Sequence, residues 1–208
     1  MSNVKSVNTY AGDLRLVGGR LCLDFVNTVN DHTLEHPREH WCDYGLFLTW
    51  ARHASALTPA ELEEAQAVSS VHPRGAEEAL EFARGVRRAL YGLFSAAAHG
   101  RPCAQSDLET FNTALARVPH PLRLAAGSGG LRWGWPEGIN PLERPIWAAI
   151  YSAATLLVAS ELALVHECEG PGCSWLFLDT SRNHSRRWCS MEDCGNLAKA
   201  RRYYARRH

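Results

Sequence analysis

Four cysteines stand in two equally spaced pairs, Cys168-Glu-Gly-Pro-Gly-Cys173 and Cys189-Ser-Met-Glu-Asp-Cys194, with fifteen residues between the pairs. Four thiolates arranged tetrahedrally are a closed zinc site, with no coordination position left for a substrate, so the expected metal is one structural zinc. Each pair has to bend the chain until its two sulfurs converge. Gly170, Pro171 and Gly172 suit a tight knuckle in the first pair. In the second, Ser190 is placed to cap a helix that starts at Met191, with Asp193 at the third helical position. Cys194 then lies in the first helical turn, where the helix dipole favours a thiolate. Ser174 to Asp179 reads as a strand. Knuckle, strand, loop, ligand and helix in that order make a treble clef. His166 and His184 are nearby donors that a complete set of four cysteines makes unnecessary.

Basic residues crowd the same region. Residues 182–208 carry 8 Lys+Arg against 2 Asp+Glu, a net of +6, whereas residues 1–181 carry a net of −6. Lys199, Arg202 and Arg206 fall at helical spacing on one face of the last helix, and Arg182, Arg186 and Arg187 sit in the loop before it. Arginine suits bidentate phosphate or guanine contacts. A zinc with four thiolates carries about −2 of its own, so part of this charge can be spent on the metal site. Leu197, Ala200 and Tyr204 form a second, apolar face, expected to pack on the finger or the larger domain. Trp175 and Trp188 are expected in a small core under the metal, and Asn183 and Asn196 on loop backbone.

The stretches Asp179-Thr-Ser-Arg-Asn-His-Ser-Arg-Arg-Trp-Cys-Ser-Met191, Cys194-Gly-Asn196 and Lys199-Ala-Arg-Arg-Tyr203 resemble the CGNR zinc finger. That finger typically follows an ABATE domain, in a group of stress-induced transcription regulators, and Gly18-Gly-Arg-Leu-Cys-Leu-Asp-Phe-Val-Asn-Thr28 resembles the opening of such a domain. The spacing of the basic residues permits DNA contact; the resemblance implies it. One position departs from the pattern: where the family tetrad reads Cys-Gly-Asn-Arg, this chain has Cys194-Gly195-Asn196-Leu197. If the family arginine touches phosphate, that contact is missing here, and Arg201 or Arg202, about one turn on, can substitute.

The elements that must position this site read as α+β, mainly helical over residues 1–165 with a short β-hairpin, followed by the treble clef over 166–208. Leu14 to Val17 is a candidate strand, and residues 20–30 are ambiguous between strand and helix. Tyr44 to Ala54 reads as a helix, and Asp31 to His40 as a loop. Thr58-Pro-Ala-Glu61 is a capping box with proline at the first helical position. Apolar residues from Ala79 to Phe94 repeat at helical spacing, and Gly100 closes that helix. Ser106-Asp-Leu-Glu109 is a second candidate capping box. Leu122 to Trp135 reads as a hairpin with a glycine-rich turn, and Pro141 to His166 as one long apolar helix. Asp24 and Asn27 lie in apolar surroundings and must be hydrogen-bonded there, tying a loop or helix end. His32, His36 and His40 recur every four residues, but Pro37 works against the helix that would align them as metal ligands. Cys22, Cys42 and Cys103 read as small core residues.

The chain has 208 residues, 46% apolar and 21% charged, which are globular proportions. Its 22 Lys+Arg balance its 22 Asp+Glu, which excludes a uniformly basic coat protein. Met1 to Gly12 lacks the apolar core of an export signal, so a cytoplasmic protein with reduced thiols and no membrane association is expected. No nucleophile elbow, zinc-protease helix, paired catalytic carboxylates or phosphate loop is present, so an enzyme is not expected. The leading expectation is a DNA-binding transcription regulator whose larger domain senses a small molecule or mediates homodimerisation. The alternative is an interaction module whose finger docks an acidic protein partner.

Overall fold

The computed structural model describes residues 12–35, 37–120, 122–127, 130–136 and 138–205. Its body is a helical assembly around the longest helix, with three two-stranded antiparallel sheets at the periphery. The ambiguous apolar run resolves into a short helix, α1 (Leu21–Val26), and then β1 (Val29–Asn30), which pairs with β2 (Arg38–Glu39). α1 is buried through Cys22, Leu23, Phe25 and Val26. The chain enters it in a tight bend. The Gly18 N–H donates to the Asp24 carboxylate at 2.8 Å, and a Cβ on Gly18 would lie 2.7 Å from that of Leu23.

α2 (Tyr44–His53) is capped by Asp43, and α3 (Pro59–Val71) by the reciprocal Thr58–Glu61 box. α4 (Pro73–Ala98) presents Ala79, Ala83, Val86, Leu90, Leu93 and Phe94 to the core, and its exit needs the left-handed backbone of Gly100 (φ +60°). Phe25, Trp41, Phe47 and Trp50 form an aromatic centre, with Phe25 and Trp41 5.1 Å apart and Trp41 and Phe47 4.7 Å apart. One charge is buried beside it. Arg87 of α4 is 3% exposed and is tied to Thr28 and to the Glu39 carboxylate, with its guanidinium over Trp41. A buried cation is tolerable only when paired in this way.

α5 (Gln105–Ala116) starts two residues earlier than the Ser106 capping box suggests. Ala104 occupies the N-cap without a side-chain bond, so the Ser106–Glu109 box does not form; Gln105 instead donates to Glu109. β3 (Arg123–Gly127) and β4 (Gly130–Gly134) pair in register as the expected hairpin. The long apolar helix does not run to His166. α6 (Arg144–Leu157) follows a short 3-10 turn, Pro141–Glu143, and a second 3-10 segment, Ser160–Leu164, leads into β5 (Val165–Glu167). β5 pairs with β6 (Leu176–Leu178). Val165, Leu176 and Leu178 belong to the main core, so helical periodicity there gives way to a strand covered by the body. Leu14 to Val17 forms no strand, because it has no ladder partner. Cys22 is a core residue as expected, but Cys42 and Cys103 are exposed. Among the described residues no helix is long and apolar enough to cross a membrane.

Candidate metal centre

Two backbone devices bring the four sulfurs together. In the knuckle the Cys173 N–H donates to the Gly170 carbonyl at 3.1 Å, and Gly172 (φ +72°) and Ser174 (φ +53°) take left-handed backbone around it. At the other end Ser190 accepts from the Asp193 N–H and opens a π-helical turn, Met191–Gly195, that continues as α7 (Asn196–Ala205). Cys194 lies in that turn, as its spacing from Ser190 predicts. Sulfurs of Cys168, Cys173, Cys189 and Cys194 all lie within 4.8 Å of one another. Cys173 Sγ to Cys189 Sγ is 3.6 Å, and Cys189 Sγ to Cys194 Sγ is 3.8 Å. Ligands about 2.3 Å from a tetrahedral zinc stand about 3.8 Å apart, so the cage has the right size for that ion. Among the described residues this is the one such cluster.

The surroundings favour a thiolate at Cys168. Cys168 Sγ accepts from the Gly170 N–H at 3.4 Å and the Cys189 N–H at 3.2 Å. Hydrogen bonds from the Cys173 and Cys189 thiols, reinforced by these two amides, hold the Cys168 thiol well below the ordinary range. Sharing with the Cys168 sulfur pushes the Cys173 and Cys189 thiols up, and burial raises Cys194. A dication would release those protons together. Gly170 leaves the space the sulfurs occupy: a Cβ there would stand 2.7 Å from Cys194 Sγ and 3.2 Å from Cys168 Sγ.

Under the cage Phe177 packs with Cys168 and Cys189, flanked by Trp175 and Trp188, the small core expected of the two tryptophans. His166 stacks on Phe177, and His184 bonds the Asp179 carbonyl, so neither imidazole joins the cluster. His32 lies against Tyr91 and His40 beside Asn30, while His36 is outside the described residues. Asp179 organises the loop before the second pair, accepting from the backbone N–H groups of Ser181 and Arg186. Burial alone would raise its carboxyl, but those donors outweigh it and hold the group down at about 2.

The finger is fastened to the helical body by polar contacts. Asn27, 2% exposed, donates from Nδ2 to the Leu176 carbonyl and accepts at Oδ1 from the Leu176 N–H, both at 2.8 Å. Its amide thus stands in for a neighbouring strand. Leu178 N–H donates to the Gly18 carbonyl, and Asp31 N–H to the Cys173 carbonyl. Arg15 reaches Ser190 at 3.1 Å, Glu192 at 2.5 Å and Asp193 at 3.3 Å. Sequence reasoning placed Asn27 in a tying role but missed Arg15, which carries no motif and meets its partners only through the fold.

The basic residues separate into two groups. Arg186 lies over the Phe177 ring at 4.2 Å and donates to the Trp188 carbonyl at 2.9 Å and to the Cys189 carbonyl, so it braces the ligand loop and presents no free fork. Arg187 pairs with Glu169 on the surface. Arg182, Lys199, Arg201 and Arg202 are exposed and form no ion pair among the described residues, and Arg206 lies outside them. α7 buries no residue; Leu197 is 45% and Tyr204 64% exposed. The apolar face expected to pack on the body is therefore open. Asn196 donates to the Glu192 carbonyl, the backbone role expected of it.

Residues 165–207 match the family model of the CGNR zinc finger, and residues 19–161 match that of ABATE, described as "Putative stress-induced transcription regulator". No curated protein matches the chain. The helical body therefore falls within one match and the cage with its closing helix within the other, and the chain belongs to the ABATE family and carries a C-terminal CGNR zinc finger.

Proposed function

We propose that this protein is a DNA-binding transcription regulator in which Cys168, Cys173, Cys189 and Cys194 hold one structural zinc. In this reading residues 166–208 form the finger, and residues 1–165 are the domain through which a signal acts. The protein binds rather than catalyses, and works in the cytosol, where thiols stay reduced. Zinc supplies the cross-link that fixes knuckle to helix; all recognition falls to protein side chains.

The observation that carries this reading is α7. It is anchored at its first turn, buries nothing, and projects Lys199, Arg201 and Arg202 together with Tyr203 and Tyr204. A ten-residue helix is marginal in water without tertiary packing, and an exposed arginine-rich one is suited to a phosphate-lined groove. Arg182 extends the same basic character to the loop. Arg187 can exchange Glu169 for a phosphate, whereas Arg186 serves the loop. The acidic remainder of the chain, net −6 over residues 1–181, turns the finger toward the duplex.

The test is fluorescence anisotropy of the zinc-loaded full chain on random duplex DNA over a salt series. Four phosphate contacts predict a slope of log K against log salt of about −3.6. Arg202→Ala should weaken binding and flatten the slope by about one. Absence of binding at low salt would refute the reading and leave the finger as a docking site for an acidic protein.

A further inference from the structure

Outside the finger, a groove of about 1040 Å³ opens between the β3–β4 hairpin, α6, the start of α1 and the α2–α3 connection. That is at the upper end for small-molecule sites, which run to roughly 1,000 Å³. Its walls are aromatic and aliphatic, with Trp133, Trp135, Tyr151, Leu57 and Leu156 drawn from separate elements around a concave space. On the hairpin, Leu131 and Trp133 alternate onto one face of β4, opposite Ala126 and Leu124 of β3. A hairpin face turned to water is ordinarily polar. This one is apolar, and Trp133 stays 44% exposed where it meets Tyr151 edge-on at 5.0 Å.

Among the described residues three charged side chains line the groove, Arg20, Glu61 and Glu161, and the protein already meets all three. Arg20 is paired with Glu161. Glu61 accepts from the Thr58 N–H at 2.8 Å and from the Thr58 hydroxyl at 2.7 Å, as part of the box that caps α3. Ser152 accepts from the Cys22 N–H, and Thr155 donates to the Tyr151 and Ser152 carbonyls. The other polar side chains on these walls, Ser55, Tyr151 and Ser160, contribute neutral hydroxyls. An ion of either sign would give up hydration on entering and find its opposite charge already engaged. To gain a partner it would have to break the Arg20–Glu161 pair or draw Glu61 out of its cap. What the walls offer instead is apolar area to bury, which rewards a ligand without net charge.

We propose that this groove is a binding site for an uncharged lipophilic small molecule, held against Trp133, Trp135 and Tyr151. The site gives a place to the signal assigned above to residues 1–165, and its occupancy is measured without DNA, so it can fail while DNA binding holds and the reverse. Three probes of nearly equal shape test it by isothermal titration of the full chain at pH 7: 2-naphthamide, which is neutral, 2-naphthoate, an anion, and 2-naphthamidinium, a cation. The amide should bind about fivefold or more tighter than either ion. Trp133→Ala removes an aromatic wall and should weaken the amide by about fivefold. Thr155→Trp fills the groove from an exposed position of α6 whose hydroxyl bonds its own helix, and should weaken the amide by about tenfold or more. Should Trp133→Ala fail to fold, Thr155→Trp decides. No binding of the amide, an ion bound as tightly as the amide, or an amide affinity unchanged in either folded variant overturns the proposal.

Discussion

Replacing Gly170 by alanine should damage the metal centre although Gly170 is not a ligand. The added Cβ would stand 2.7 Å from Cys194 Sγ, 2.8 Å from Cys194 Cβ and 3.2 Å from Cys168 Sγ. Carbon–sulfur contacts need well over 3 Å, so Cys194 must retreat by about half an ångström or more and Cys168 by a few tenths. Zinc–sulfur bonds near 2.3 Å do not stretch by that amount. Either the knuckle opens or the helix turn carrying Cys194 swings out. Disturbing the shell around metal ligands typically costs roughly 10–100-fold in affinity, and that is the expected loss here. The assay is competition for zinc between the full chain and a chromophoric chelator at fixed pH. Gly85→Ala is the control: a Cβ there meets nothing within 4 Å, so it should leave zinc affinity unchanged and add roughly 0.5–1 kcal/mol of helix stability. Wild-type zinc affinity in Gly170→Ala would show that the sulfurs do not converge over this glycine, and the assigned cage would be wrong.

Removing zinc with a chelator should expose the amides of residues 168–174 and 180–205 to hydrogen exchange while β5 and β6 stay protected, because Val165, Leu176 and Leu178 sit in the main core; loss of protection in both strands would contradict that division. Asn27→Ala strands the buried N–H and carbonyl of Leu176, at roughly 1–3 kcal/mol each, so denaturant unfolding should show a loss of roughly 2–6 kcal/mol. A loss below about 0.5 kcal/mol would mean that water replaces the amide. Burial raises the Asp24 carboxyl from 3.8 to about 6, only partly offset by the Gly18 N–H. A carboxyl with a raised folded value favours folding when protonated, so its contribution is full below pH 4 and fades as pH climbs through 6. Asp24→Asn keeps the acceptor and should remove that fall, worth up to roughly 3 kcal/mol, which parallel urea titrations at pH 4 and pH 7 would measure. Identical pH dependence in the two proteins would exclude Asp24 as its source.

The local chemistry of the finger is legible in its residues alone. Ligand spacing, a Gly-Pro-Gly knuckle and a serine cap act within a few residues, and such short-range geometry is legible without a fold. The Thr58 box, the face of α4 and the existence of the hairpin follow for the same reason: their periods and turn residues are local. Local signals that compete with tertiary packing point to the wrong element. The apolar run to His166 looks helical throughout, yet its last residues gain more by pairing as β5 under the core. Ser106 has the residue type of a cap, but the N-cap is Ala104, two residues earlier, and the helix begins at Gln105. Which charges face solvent is set by the fold. Arg186 and Arg187 are neighbours of one type, but Phe177 and two carbonyls claim the first while Glu169 holds the second on the surface. Arg15 meets Ser190, Glu192 and Asp193 from 175 or more residues away, and Asn27 completes a strand 149 residues distant. Such pairings depend on where the chain returns to itself, which burial of the whole core sets and no local pattern records.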